Sequence, residues 1–125
     1  ARRAIRLAVS GAFHSPFMMP AANRLYDFIK PMEFNEPNVP IIMNRTANPL
    51  SFESLKNLIF EHTFSPVLFE QSIRYIIDVE QINLFIEIGP GKVLSGFVQK
   101  INPAIPVVTI NTQQDIETFS KEIQL

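Results

Sequence analysis

Four short apolar runs, Ile5 to Val9, Val39 to Asn44, Leu84 to Ile88 and Pro106 to Ile110, alternate along the chain with segments whose apolar residues recur at helical spacing. Short apolar runs bounded by turn residues read as buried strands, and their alternation with helices predicts an α/β class with a mostly parallel sheet. Ser15 as N-cap and Pro16 at the first helical position open a helix to about Lys30, carrying Leu25, Phe28 and Ile29, which Pro31 ends. Pro37 to Pro40 reads as a linker and Asn48-Pro49 as a turn. Ser51, with Glu53 in the first turn, caps a helix through Leu55, Leu58 and Ile59 that frays near His62. A further helix is expected from about Pro66, lined by Val67, Phe69, Ile73, Ile76 and Ile77. Lys92 to Ile101 forms another, and Thr112 with Asp115 makes a capping-box start to the last.

Composition narrows the function classes. The chain has 125 residues, 46% of them apolar, enough for a packed core. Its net charge is -1 and its longest basic run is the pair Arg2-Arg3, so nucleic acid is a poor partner. There is no cysteine, which removes disulfides, thiolate nucleophiles and cysteine-based metal sites, and a reducing compartment fits. No apolar run approaches the roughly 20 residues that span a bilayer. Ala1 is not Met, and the chain enters its first strand at once, which suggests a piece of something longer.

His14 lies in VSGAFHSPFM, after a strand and before a helix, the place where open α/β sheets put functional groups. A helix N-terminus disfavours extra positive charge and would help keep the imidazole neutral and available as a base. Position alone leaves that role beside the plainer one of a loop histidine that caps or packs. A base needs a nucleophile, yet none of the eight serines stands in a G-x-S-x-G elbow. GPGKVLSG, Gly89 to Gly96, lacks the order of a phosphate-binding loop and reads as a tight turn that lets its helix pack close on the sheet. His14 and His62 have no ligand at i+3 or i+4, so no metal site is expected, and His62 reads as a helix-ending residue. Glu70, Asp78, Glu80 and Glu87 read as decoration of helix faces or a strand end. Phe13, Phe17, Met18 and Met19 are apolar enough for core, or for a wall around His14.

VSGAFHSPFMMPA, FSPVLFEQSIRYI and FIEIGPGKVLSGFVQKI together resemble the C-terminal portion of the bacterial malonyl-CoA:acyl carrier protein transacylases. The resemblance spans Val9 to Ile101. It implies an acyltransferase whose serine, on an elbow in the first half of the enzyme, takes malonyl from CoA and passes it to the phosphopantetheine thiol of acyl carrier protein, with a histidine as base. His14 matches that histidine. His62 falls where the family places a residue, commonly glutamine, whose backbone carbonyl orients the ring; Phe13 falls where a bulky side chain favours malonyl over α-methylated extenders. The implied fold is the C-terminal part of an α/β-hydrolase-like large subdomain over residues 10–125, with residues 1–9 ending a ferredoxin-like small subdomain.

The resemblance further implies a cytoplasmic enzyme of fatty acid synthesis with no covalently bound cofactor. Its partners would be malonyl-CoA, acyl carrier protein and the upstream half that carries the serine; neither nucleic acid nor membrane is expected. Without that serine the free chain is expected to be inactive. A sheet cut from its other strands should dimerise or aggregate. Two alternatives stand beside this reading: the end of a polyketide acyltransferase domain, and a non-catalytic interaction module.

Overall fold

The computed structural model describes residues 11–122. The expected strand Ile5 to Val9 and the small-subdomain boundary lie outside them. The fold is mixed α/β, and it divides into two compact units, Ala1–Phe69 and Glu70–Leu125.

In the first unit a single 3-10 turn, Pro16–Met18, leads into α1 (Met19–Ile29). Ser15 takes the N-cap position of that turn, with Pro16 after it, but its side chain makes no cap; the hydroxyl donates back to the Ala12 carbonyl at 2.6 Å. The face of α1 that is buried carries Ala22 and Ile29, seven residues apart, and Phe28 lies off that stripe at 66% exposed. α1 packs against α2 (Leu55–His62), which follows a 3-10 turn at Phe52–Ser54. The expected buried strand at Val39 to Asn44 shrinks to β1 (Ile42–Met43), paired antiparallel with β2 (Asn48–Pro49). Asn48-Pro49 is therefore strand, and the turn is Asn44 to Ala47, closed by the Ala47 N–H on the Met43 carbonyl at 2.8 Å. The pairing runs one hydrogen bond further, from the Leu50 N–H to the Ile41 carbonyl at 2.8 Å, since Pro49 stands at a non-hydrogen-bonded position where its missing N–H costs the ladder nothing.

The second unit, from Glu70, holds nearly all of α3 (Phe69–Asp78), which starts later than the expected Pro66, burying Ile73 and leaving Val67 outside the helix. β3 (Phe85–Ile88) and β4 (Val107–Ile110) pair in parallel, Phe85 opposite Val107 and Ile88 opposite Ile110, joined through α4 (Val93–Ile101). α5 (Gln113–Glu122) follows β4 and packs on it. Its start is a reciprocal capping box: the Thr112 hydroxyl accepts the Asp115 N–H at 3.2 Å, and the Asp115 carboxylate accepts the Thr112 N–H at 2.8 Å. Those donors hold the Asp115 carboxyl below the usual carboxylate value, the Asn111 N–H first among them.

Glu87 is not decoration. Strand alternation puts it on the same face as Phe85, where its carboxylate accepts the N–H groups of Leu94 at 3.2 Å and Ser95 at 2.8 Å, and the Ser95 hydroxyl. A strand side chain thus satisfies the orphan donors at the start of α4. The Ser95 hydroxyl, then the Ser95 N–H, hold the Glu87 carboxyl below its ordinary value. A depressed carboxylate stabilises the fold fully above its unfolded value, and that contribution fades as pH falls through the folded one. Replacing Glu87 by Gln should therefore lower the melting temperature near neutral pH and flatten its decline below about pH 5, seen in melts from neutral to acid. An equally steep acid limb in E87Q would contradict the assignment.

Candidate active site

α2 ends at His62, and every carbonyl of its last turn has a donor. The Thr63 hydroxyl lies 3.4 Å from the Ile59 carbonyl, the Thr63 N–H bonds Phe60 at 3.3 Å, and the Phe64 N–H bonds Glu61 at 3.2 Å. The next two carbonyls go to one residue. The His14 N–H donates to the Thr63 carbonyl at 3.2 Å, and the His14 ring meets the His62 carbonyl with Nδ1 at 3.0 Å. Consecutive carbonyls at a helix C-terminus need donors from elsewhere in the chain, and His14 supplies both.

Reaching both requires an unusual backbone: His14 has φ +60°, the left-handed region where histidine is one of the few tolerated side chains. Residues held in this region concentrate at functional sites. A carbonyl oxygen can only accept, so Nδ1 carries a proton, and in the neutral ring the lone pair is on Nε2 of an exposed residue. The His62 ring packs edge to face on the His14 ring, centroids 5.0 Å apart and planes at 68°. Burial first, and the charge of His14 second, hold the His62 imidazole below the usual histidine value.

The structure brings His14 and His62 together across 48 residues of sequence. Phe13, next to His14 in the chain, is 56% exposed, and Phe17 is 85% exposed, so neither is core. The Phe13 ring folds back on the chain, 3.3 Å from where a side chain on Gly11 would begin. The GPG turn is structural, with Gly89 at φ +133° and Gly91 at φ +102°, values that suit glycine. Its amides are spent inside the protein, Gly89 N–H on the Ile110 carbonyl at 3.0 Å and Gly91 N–H on Asn111 Oδ1 at 2.7 Å. The Leu94 and Ser95 N–H groups are likewise spent on Glu87, so four amides around this turn and helix start are turned inward rather than toward a phosphate. Glu70 pairs with Arg74 at 2.8 Å one helical turn on. Among the described residues no three histidine, aspartate or glutamate side chains gather to hold a metal ion, and no helix is long and apolar enough to cross a membrane.

Two features escaped the sequence reading. The Thr63 carbonyl carries no signal, because any residue would supply it. Glu87 did leave one: an acid inside an apolar strand, alternating with Ile86 and Ile88, eight residues before a serine in the following helix.

No protein-family model matches the chain. The malonyl CoA-acyl carrier protein transacylase of Bacillus subtilis (strain 168) is 42% identical over 118 residues, covering 94% of this chain and 37% of the relative. An acyl-carrier-protein-S-malonyltransferase from Bartonella henselae superposes with a TM-score of 0.89 at 33% identity, over 99% of this chain and 40% of that one. A malonyl-transacylase solved in complex with its type II PKS acyl-carrier protein superposes with the same TM-score at 27% identity, over 97% and 39%. The chain thus spans well under half the length of the proteins it matches. Its mixed α/β fold is that of the matching part of these solved transacylases. At the level of family, the chain is a relative of the malonyl CoA-acyl carrier protein transacylases.

Proposed function

We propose that this chain supplies the general base of a malonyl-CoA:acyl carrier protein transacylase acting in the cytoplasm in fatty acid synthesis, with the nucleophilic serine provided by polypeptide outside these 125 residues. The observation that carries this reading is His14 Nδ1 at 3.0 Å from the His62 carbonyl, which fixes the tautomer that a base requires. In the first half-reaction Nε2 takes the serine proton as the serine oxygen attacks the malonyl thioester carbonyl. The C–S bond then breaks, and the CoA sulfur leaves with the proton from Nε2. In the second half-reaction Nε2 takes the proton of the phosphopantetheine thiol, whose sulfur attacks the malonyl-serine ester, and returns it to the departing serine oxygen. The carbonyl end of α2 faces the ring while it bears the transferred proton, in the place a carboxylate holds in a serine triad.

Phe13 stands beside the base and would crowd an α-methyl group on the acyl chain, a preference worth about 1–3 kcal/mol. Acyl carrier protein as the second substrate is supported by the similar transacylase solved with its carrier protein. The rest of the transacylase is a natural cover for the outward face of β3, where Ile86 is 42% and Ile88 79% exposed.

Denaturing intact-mass spectrometry tests the assignment. After incubation with malonyl-CoA, the chain alone should stay unmodified, and a serine-bearing transacylase polypeptide added to it should gain the malonyl increment. A malonyl adduct on this chain by itself would overturn the division of labour.

A further inference from the structure

Among the described residues, the exposed ring of His14 is held by α2. The bond from Nδ1 to the His62 carbonyl fixes one atom but leaves the ring free to swing about it. The second contact comes from the same residue, since the His62 imidazole lies edge to face against the His14 ring at 5.0 Å. Edge-to-face packing selects a ring plane, which a single hydrogen bond does not.

We propose that the His62 imidazole is a positioning residue for His14, pressing the ring onto the His62 carbonyl and keeping Nε2 free, and that it acts in its uncharged form. The inference rests on the reading of His14 as the base. A protonated His62 would set a cation beside a ring that must itself take up a proton, and two like charges at this separation oppose each other. Among the described residues, the electrostatic influence on His62 comes from His14, while Glu61, its neighbour on α2, is engaged by Arg45 at 3.6 Å.

The chain has two histidines, so nitrogen-15 NMR of the imidazoles separates them by single substitution. In its neutral form, His14 in the unsubstituted chain should show the Nδ1–H tautomer, the one that free imidazole side chains disfavour. His62→Phe keeps a ring without a charge and should preserve that tautomer. His62→Ala keeps the carbonyl without a ring and should release His14 to a mixture dominated by Nε2–H. In His14→Gln the His62 midpoint should move upward, because the neighbouring charge is gone. Full retention of the Nδ1–H tautomer in H62A, its loss in folded H62F, or an unmoved His62 midpoint in H14Q would each overturn the proposal. Should H62A lose its dispersed amide spectrum, H62F and H14Q still decide. A chain that never supports malonyl transfer would still show these titrations, so the two readings fail separately.

Discussion

Replacing His14 by alanine is expected to lower malonyl transfer about 10³-fold in an enzyme assembled from this chain and the serine-bearing polypeptide, the middle of the range for a lost general base. In the proposed scheme one imidazole serves both half-reactions, so serine malonylation and transfer to carrier protein should fall together, while KM for malonyl-CoA changes far less than kcat. The backbone at His14, with φ +60°, complicates alanine, which tolerates the left-handed region poorly. His14→Asn separates the two effects: asparagine accepts that backbone but cannot take the proton. H14N should therefore match the activity loss of H14A while melting closer to the unsubstituted chain. Substantial activity in H14N would remove His14 from the chemistry and leave its contacts with α2 as a loop anchor.

Replacing Ile110 by alanine should cost about 2–4 kcal/mol of stability, the usual range for removing a buried isoleucine. β4 is the hub of the second unit, since β3, α4 and α5 all pack on it. Of its large apolar side chains, Ile73, Val98 and Ile110 are the deeply buried ones among the described residues, so each carries a large share of a small core. Ile110 also lends its carbonyl to the Gly89 N–H at 3.0 Å, tying the GPG turn to the strand end. In urea unfolding followed by far-UV circular dichroism, I110A should lower the midpoint with little change in slope. Its register partner is the control: Ile88 lies opposite Ile110 but is 79% exposed, so I88A should stay within about 0.5 kcal/mol. Equal losses in the two variants would show that Ile88 is covered in solution.

Much of the second unit was legible residue by residue. Its two strands alternate with helices as their apolar runs predict, and the Thr112–Asp115 box forms as its spacing predicts. These features are local, set by neighbours a few positions apart. The first unit was less legible because its apolar run pairs as strand over only two residues, and because the buried stripe of α1 runs through Ala22 and Ile29 rather than Phe28. Which face of a helix is buried depends on what packs against it, and here α2 does.

The sequence by itself determined the α/β alternation, the glycine turn before α4 and the identity of His14 as the residue to watch. Only the tertiary structure decided what His14 touches. Its partners are the main-chain oxygens of His62 and Thr63, and a carbonyl is the same atom on every residue, so no side-chain pattern announces it. Those oxygens are available because α2 ends there, and they meet His14 because the loop before α1 adopts a left-handed backbone at that residue.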